Sequence, residues 1–322
     1  MRELIRMFAL LTLLVLAFPS SILAQSYPNK PIRLVVGFAP GGTTDICARM
    51  IAPKLSEELG QPVIVENRPG AGTNVAQEIV INAAPDGYTL LLSTPSVVIN
   101  KFLYKNLSFD GVRDLAGISL FSISPIMLVV NSSLPIHNLK EFITLARSKP
   151  GKITFSSAGN GTTQHLAGEL FNIRANVKMM HVPYKGTSPS LIALISGEVD
   201  SSYSSFPVVM PHIKSGRVRQ LATTGPKRSE LMPDLPTMKE SGVNMEMFVW
   251  FGVSVPKNTP RTIIDKLSQS LVKITHSPEI KQKLSSLGAE PVGSTVEEFY
   301  KQLHDEEAMW SEVVRTSKAV AD

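Results

Sequence analysis

Two loops of this chain combine glycines, paired threonines and the start of a helical pattern. FAPGGTTD spans residues 38–45 and follows the apolar run IRLVVG, and SSAGNGTTQH spans residues 156–165. The first turn of a helix has backbone N–H groups without intrahelical partners and a partial positive charge. A strand, a glycine turn and a helix start, in this order, are therefore a common way to hold an anion. The two loops predict an anion-binding site.

Glycine and threonine suit this chemistry, because glycine lets the backbone approach a ligand and threonine caps a helix or donates to an oxygen. The residues are Gly41, Gly42, Thr43 and Thr44 in the first loop and Gly159, Gly161, Thr162 and Thr163 in the second. Two opposed loops could together reach micromolar affinity, which needs about 8 kcal/mol. A simple capped turn is the alternative interpretation of each loop, and Asp45 can occupy the N–H groups that an anion would use.

Strand and helix patterns alternate along the chain. The apolar, β-branched runs that predict strands lie at 32–38, 62–67, 88–93, 125–131, 152–157, 179–184, 218–224 and 247–256. The helical patterns lie at 45–59, 74–83, 138–148, 163–175, 187–196, 260–275 and 296–315. This alternation predicts an α/β fold with parallel sheets, whose ligand lies beyond the carboxyl ends of the strands. Residues 152–171 repeat the strand, loop, Thr-Thr and helix plan of residues 32–51, which predicts two similar lobes around a shared cleft.

The N-terminus has the features of a secretory signal peptide. Arg2 and Arg6 precede the hydrophobic run Met7–Phe18, and small residues lead to Ala24. We expect export and cleavage after Ala24, because the hydrophobic run is shorter than the roughly 20 apolar residues of a membrane span. An uncleaved anchor is the alternative. The single cysteine, Cys47, excludes an intrachain disulfide framework.

Several functional classes lack their sequence signals. The 32 lysines and arginines are scattered, which argues against nucleic-acid binding despite a net charge of +5. Neither loop ends like a P-loop, H-E-x-x-H and G-x-S-x-G motifs are missing, and the six histidines lack metal spacing. We therefore expect no cofactor, no metal and no catalytic residue. A secreted hydrolase or transferase that uses His165 remains the alternative of the enzyme class. Tyr184 and Asp200 end or follow predicted strands, so both are candidates for the cleft.

An ordered series of motifs resembles one known family. It comprises residues 27–49 (YPNKPIRLVVGFAPGGTTDICAR), 63–72 (VIVENRPGAG), 84–92 (APDGYTLLL), 156–171, 181–186 (HVPYKG), 196–200, 221–229, 235–242 and 250–260 (WFGVSVPKNTP). In this series the chain resembles the Bug-type solute receptors, the extracytoplasmic binding proteins of tripartite tricarboxylate transporters. One departure lies in the loop at 68–76, where Thr73 and Ala76 replace glycines that the family tends to have.

The resemblance implies a two-lobed periplasmic binding protein of type II, with a Venus-flytrap cleft. Residues 26–124 and 246–322 would form the first lobe and residues 125–245 the second. The ligand would be a small mono-, di- or tricarboxylate, including aromatic ones, held by helix N-termini, hydroxyls and waters without a dedicated arginine. The implied ligand-binding residues are Phe38, Gly41, Gly42, Thr43, Thr44, Asp45 and Thr94 on one side and Ser156, Gly159, Gly161, Thr162, His165, Tyr184 and Asp200 on the other.

The resemblance also implies the partners. A receptor of this family would be a monomer that delivers its ligand to the membrane subunits of a tripartite tricarboxylate transporter. A periplasmic ligand sensor that signals to a membrane regulatory protein is the alternative, and it shares the same ligand-binding step.

Overall fold

The computed structural model describes residues 27–321, so the predicted signal peptide, residues 1–24, lies outside the described residues. The strands are β1 (Ile32–Val36), β2 (Val63–Asn67), β3 (Thr89–Ser93), β4 (Leu115–Asn131), β5 (Thr154–Ser157), β6 (Met180–Pro183), β7 (Ser201–Ser205), β8 (Val218–Thr223), β9 (Phe248–Pro256) and β10 (Glu290–Pro291). The helices are α1 (Thr43–Leu59), α2 (Asn74–Ile81), α3 (Ser96–Leu103), α4 (Gly111–Asp114), α5 (Leu139–Ser148), α6 (Thr163–Arg174), α7 (Thr187–Ser196), α8 (Phe206–Lys214), α9 (Arg261–His276), α10 (Pro278–Ser286) and α11 (Val296–Ser317). Within residues 27–321, none of these helices has the length and apolar character that crossing a membrane requires.

The long strand β4 connects two halves of one sheet. Its residues 115–125 pair with β9, whereas residues 126–131 pair with β7 and β8. The strand order is β2-β1-β3-β9-β4 in the first half and β4-β7-β5-β6 in the second. The molecule is therefore a two-lobed α/β protein, as the sequence indicated. The lobe boundaries at residues 125 and 246 stay a prediction, which the change of strand partner supports.

The parallel strands form the outer part of each half, beside the antiparallel strands β9 and β4, and their carboxyl ends determine where helices start. β1 pairs in parallel with β2 and β3, and β5 pairs in parallel with β6 and β7. β3 is buried along its whole length and β1 at all but one position, because helices cover both faces of a parallel sheet. β1, β3, β5 and β7 lead directly into α1, α3, α6 and α8. These helices therefore begin at the cleft edge of the sheet.

The structure confirms the predicted alternation of strands and helices but adds elements that the sequence patterns missed. The missed elements are β7, β10, α3, α4, α8, α10 and the first ten residues of β4. β7 has the sequence SSYSS, which lacks an apolar run, yet all five of its residues are buried. Hydrogen bonds inside the sheet replace apolar burial there, since Ser201 Oγ donates to the carbonyl of Thr154 at 2.8 Å.

Candidate functional site

A cavity lies between the two halves of the sheet, at the carboxyl ends of β1, β3, β5 and β7. It is lined by thirteen residues: Phe38, Thr43, Thr44, Thr94, Ser96, Ala158, Thr162, Thr163, Gln164, Thr187, Ser205, Val249 and Phe251. Eight of them carry hydroxyl groups, four are apolar, and the remaining one is a glutamine. Within this lining, which belongs entirely to residues 27–321, there is no charged side chain.

Five helices begin at this cavity. Thr43 and Thr44 open α1, Ser96 opens α3, Thr163 opens α6, Thr187 opens α7, and Ser205 is the N-cap of α8. The first turn of each helix carries N–H groups that no intrahelical carbonyl accepts, and the aligned peptide dipoles make that end positive. Five converging helix N-termini therefore give the cavity a positive potential without any lysine or arginine in its wall.

In the first loop, Asp45 lies behind the cavity lining and fixes the backbone. Its carboxylate accepts from the Gly41 N–H at 2.9 Å, from Arg49 Nε at 2.9 Å and from Asn67 Nδ2 at 2.9 Å. Burial alone would raise the pKa of Asp45, but the hydrogen bonds from Arg49, Gly41 and Asn67 hold it below its ordinary value. Because protein donors already use this carboxylate, the structure gives Asp45 a supporting position rather than a place in the cavity wall.

In the second loop, Thr162 caps α6 and His165 holds the preceding turn. Thr162 Oγ1 accepts from the His165 N–H at 3.3 Å and donates to the carbonyl of Gly159 at 2.7 Å. His165 Nδ1 accepts from the Gly161 N–H at 3.3 Å. This leaves Thr163, the first residue of α6, facing the cavity, and its buried hydroxyl has no partner among the described residues.

His165 forms part of a buried ring stack. Its ring lies 4.1 Å from that of His181, which in turn stacks on Phe155 at 4.9 Å. Burial lowers the pKa of His165 to about 4, and burial together with the proximity of His165 lowers the pKa of His181 to about 3. Both rings are therefore neutral near pH 7, and His165 supports the loop instead of lining the cavity.

Direct contacts join the two halves across the cleft. The Ala39 N–H donates to the carbonyl of Lys185 at 3.0 Å, and the hydroxyls of Thr43 and Ser205 bond to each other. Ser96 Oγ donates to the carbonyl of Gly161 at 2.9 Å. These contacts connect the starts of five helices, so the structure has the cleft in a closed arrangement.

The loop at residues 68–76 also takes part in this closure. Ala71, Gly72 and Thr73 have φ angles of 44°, 58° and 82°, so three consecutive residues are left-handed. A Cβ at Gly72 would lie 1.9 Å from the carbonyl oxygen of Asn160, across the cleft. Thr73, a departure from the family pattern, packs its side chain against Gly37 and accepts from Gln77 Nε2 at 2.9 Å.

The structure brings only part of the predicted ligand-binding set to the cavity wall. Phe38, Thr43, Thr44, Thr94 and Thr162 line it. The other members near the cavity lie outside its lining, in the two loops, in the first turns of α1 and α6 and in β5: Gly41, Gly42, Asp45, Ser156, Gly159, Gly161 and His165. Gly41, Gly159 and Gly161 have φ angles of 78°, 134° and 75°, which favour glycine at these positions.

Two predicted residues lie away from the cavity. Asp200 precedes β7 and binds the N–H and hydroxyl of Thr154 at 2.8 and 3.0 Å, at the amino ends of both strands. The cavity is at the opposite ends, which explains why proximity to a strand alone misplaced this residue. The Tyr184 hydroxyl donates to Glu198 at 2.5 Å, and burial and Glu198 raise its pKa to about 12. Neither position supports ligand contact.

Seven lining residues were missed by sequence reasoning: Ser96, Ala158, Gln164, Thr187, Ser205, Val249 and Phe251. Thr163 was named for its hydroxyl in the second loop but was not among the implied ligand-binding residues. Thr163 and Gln164 lie inside a loop that was recognised. A usable signal existed for Ser205, because SSYSSFP has a proline directly after a possible strand end, and proline favours the first turn of a helix. Val249 and Phe251 belong to a strand whose position relative to the cleft depends on its pairing with β4, which is not local information.

Comparisons with known proteins identify the family. Residues 47–318 match the family described as "Tripartite tricarboxylate transporter family receptor". BugT of Bordetella pertussis is 35% identical over 299 residues, which cover 92% of this chain and 92% of BugT. Rpa4515 of R. palustris, solved with adipate, has a TM-score of 0.88 and 34% identity over 91% of this chain and 99% of its own.

A second solved structure extends this similarity. MatC (Rpa3494) from Rhodopseudomonas palustris, with bound malate, has a TM-score of 0.86 and 29% identity, and the match covers 89% of this chain and all of MatC. The periplasmic binding protein BugD also shares the fold described above. The chain belongs to the receptor family of the tripartite tricarboxylate transporters, together with the Bug proteins.

Proposed function

We propose that this protein captures a small carboxylate in the cavity between its lobes and delivers it to the membrane subunits of a tripartite tricarboxylate transporter. The observation that carries this proposal is the convergence of five helix N-termini on a cavity with eight hydroxyl residues and no charged side chain in its wall. Adipate in Rpa4515 and malate in MatC are both carboxylates, which supports the same ligand class here.

The energetics of such a site are sufficient. Each hydrogen bond to a charged group contributes about 1.5–3 kcal/mol, and a helix N-terminus adds about 0.3–1 kcal/mol at an exposed position. Four to six donors of this kind, less the cost of ordering the ligand, reach the roughly 8 kcal/mol of a micromolar complex. We infer that Phe38, Thr43, Thr44, Thr94 and Thr162 contact the ligand, and that Thr163 and Ser205 do so as well.

We also infer that the protein binds its ligand without transforming it. A hydrolase would need a nucleophile beside a base, with both facing the substrate. His165 Nδ1 accepts from the Gly161 N–H, and its ring stacks on His181 away from the lining. Incubation of the purified protein with any carboxylate that it binds should return that compound unchanged by mass spectrometry. Turnover that His165→Ala abolishes would contradict this inference.

The test of the proposed function is ligand-dependent stability. The purified protein, freed of copurified ligand by unfolding and refolding, is titrated with carboxylates and with their uncharged amides while its unfolding is followed. A carboxylate at 100 times its dissociation constant should raise the free energy of unfolding by about 2.7 kcal/mol, and the matched amide should not. Equal effects of acid and amide, or no effect of any carboxylate, would contradict the proposal.

Location and delivery need separate tests. We propose that residues 1–24 are removed on export, and mass spectrometry of the protein from a periplasmic extract should find Gln25 at its N-terminus.

Transport should depend on this chain: deleting it should abolish uptake of the carboxylate that it binds, and restoring it should restore uptake. Normal uptake with a lost transcriptional response would instead indicate the sensor role.

A further inference from the structure

Outside the cavity wall, the loop at residues 68–76 meets the loop before α6 through glycines. Gly72 lies between β2 and α2 in the first half of the sheet, and a Cβ on it would lie 1.9 Å from the carbonyl oxygen of Asn160 in the second half. Gly161 repeats this arrangement in the opposite direction, since its Cβ would lie 1.9 Å from Oδ1 of Asn100 on α3. Each glycine therefore directs a Cα–H bond toward an oxygen of the other half, which is the geometry of a weak Cα–H···O contact.

The contact at Gly72 leaves no room for a methyl group while the cleft is closed. The opposing atom belongs to the backbone of Asn160, so it cannot rotate away as a side chain would. A third glycine adds to this packing, because a Cβ on Gly159 would lie 3.9 Å from the Cα of Gly72. In the first half, by contrast, the Cβ would meet the end of a side chain, the Tyr104 hydroxyl at 2.9 Å. It is therefore mainly the closed arrangement that requires a glycine at position 72.

Asn100 holds this loop from inside the first half. Its side chain is 1% exposed, and its Nδ2 donates to the carbonyl of Gly72 at 2.8 Å and to Oδ1 of Asn74 at 2.6 Å. Its Oδ1 has no hydrogen-bond partner among residues 27–321, and this is the atom that faces Gly161. One buried amide thus orients the glycine of its own half and touches the glycine of the other half.

We propose that Gly72 and Asn100 are positioning residues for ligand capture, which act by allowing the cleft to close and by stabilising it when closed. The lining of the cavity, as the structure describes it, includes neither residue. Asn100 acts through Gly72, because it fixes the carbonyl and hence the orientation of the glycine that meets Asn160. The proposal rests on the proposed function, since closure is what retains the carboxylate between the two halves.

Two glycine-to-alanine variants test the role of Gly72. Gly72→Ala places a methyl group against Asn160, whereas Gly60→Ala, at the end of α1, is the matched control. The φ angles are similar, 58° at Gly72 and 69° at Gly60, and among the described residues no atom lies within 4 Å of a Cβ at Gly60. Both variants therefore incur the strain of a left-handed backbone, but only Gly72→Ala meets the other half.

Calorimetry measures affinity and small-angle X-ray scattering measures closure. The probes are adipate, succinate and malate, joined by any other carboxylate that stabilises the wild type. We expect Gly72→Ala to bind at least about tenfold more weakly than the wild type, because overpacking penalises only the closed complex. Its radius of gyration should stay at the ligand-free value when the probe is added, whereas the wild type and Gly60→Ala should contract. A substitution that only destabilises the fold would not prevent this contraction.

Each outcome has a distinct meaning. If Gly72→Ala contracts and binds as Gly60→Ala does, the positioning role is wrong and the receptor function stands. Weaker binding with normal contraction also overturns the role, because the loss would then arise at the cavity wall. If the wild type binds no carboxylate, the proposed function fails, and scattering of the ligand-free proteins decides the positioning role. Gly72→Ala should then be more expanded than the wild type, and equal radii of gyration would overturn the proposal.

A double-mutant cycle tests whether Asn100 acts through Gly72. Asn100→Ala removes the hydrogen bond to the Gly72 carbonyl, so alone it should weaken binding of the same probe about 3- to 10-fold. In this background Gly72→Ala should weaken binding clearly less than it does in the wild type, because the released loop can shift away from Asn160. Additive effects of the two substitutions would contradict the positioning role of Asn100.

Discussion

The loops that begin α1 and α6 both place a glycine N–H against the side chain four residues later. The Gly41 N–H donates to Asp45, and the Gly161 N–H donates to His165. Both glycines have similar left-handed φ angles, 78° and 75°. In each loop the next residue is the N-cap, so Gly42 of the first loop corresponds to Thr162 of the second.

The two loops differ in the charge at this position. Asp45 is an anion paired with Arg49 one turn later, whereas His165 is buried and neutral with Glu169 one turn later, 4.0 Å from its Nε2. The carboxylate of Asp45 partly neutralises the positive end of α1, whereas the first turn of α6, which the structure describes in full, contains no acidic residue. The comparison indicates that the start of α1 is already hydrogen-bonded to an anionic side chain of the protein. The start of α6 lacks such a side chain, so we expect it to attract an anion more strongly.

The largest expected difference concerns acid stability. Unfolded histidine titrates near pH 6.5 and folded His165 near pH 4, so the unfolded state binds more protons between these values and stability falls as pH falls. A shift of this size corresponds to about 3 kcal/mol from His165, and His181 adds to it. Burial also raises the pKa of Glu169, so the folded protein takes up a proton there as pH falls, and this offsets part of the loss. Urea denaturation from pH 7 to pH 4 measures the loss.

His165→Gln separates this effect from general acid denaturation. Glutamine keeps an acceptor for the Gly161 N–H but cannot be protonated, so the variant should lose clearly less stability than the wild type over the same pH interval. His137→Gln, at an exposed histidine, is the control and should follow the wild type. An unchanged pH profile in His165→Gln would show that the buried imidazole does not determine acid stability.

The equivalent glycines should respond unequally to a methyl group. Both alanine variants incur the strain of a left-handed φ, about 1–2 kcal/mol. A Cβ at Gly41 would lie 3.2 Å from Ser188 Oγ, a side chain that can rotate, whereas one at Gly161 would lie 1.9 Å from Oδ1 of the buried Asn100. We expect Gly161→Ala to lose about 3 kcal/mol in urea denaturation and Gly41→Ala about 1 kcal/mol. Equal losses would remove this difference between the loops.

The correspondence between the loops also shows what the sequence could and could not predict. Matching Thr43–Thr44 to Thr162–Thr163 by identity is natural, but the structure aligns Thr43 with Thr163, one residue further along. The register of a helix start depends on which residue adopts the extended N-cap conformation, and Gly42 and Thr162 both do so. The residue types alone do not show which residue becomes the N-cap.

The fold was more predictable than the cavity wall. Apolar runs such as that of β1 predict buried parallel strands, and glycine followed by threonine predicts the turn into a helix. β7 gives no such signal, because its serines are buried through hydrogen bonds, and with it α8 and the lining residue Ser205 were missed. Val249 and Phe251 reach the cavity only through the pairing of β9 with β3 and β4, so local patterns cannot place them.

A smaller effect is expected from removing the charge at the start of α1. Asp45→Asn turns one of two acceptor oxygens into a donor that faces other donors, and we expect a loss of about 2 kcal/mol at pH 7. The folded pKa of Asp45 lies below its ordinary value, so its contribution is present above about pH 3.9 and disappears as pH falls through the folded pKa. The difference between wild type and variant, measured by urea denaturation, should therefore shrink below pH 4.

Asp305→Asn provides the matched control for this variant. Asp305 also pairs with a cation one turn away, Lys301, but both side chains are exposed. Exposed pairs of this kind contribute less than about 0.5 kcal/mol, so the control should hardly change stability. If Asp45→Asn lost as little stability as this control, the buried hydrogen bonds of the first loop would not contribute measurably to the stability of the protein.

The smallest expected effects come from valine substitutions at the first residues of α1 and α6. The two substitutions should change the free energy of unfolding differently. Thr163→Val removes a buried hydroxyl that has no protein partner, so the free energy of unfolding should stay the same or rise slightly. Thr43→Val removes the hydroxyl that bonds to Ser205 across the cleft, so about 1 kcal/mol should be lost. Both should weaken binding of a carboxylate about 5- to 30-fold in calorimetry. If Thr163→Val instead destabilises the protein without weakening binding, its hydroxyl serves the fold, and α6 is not the main source of anion attraction.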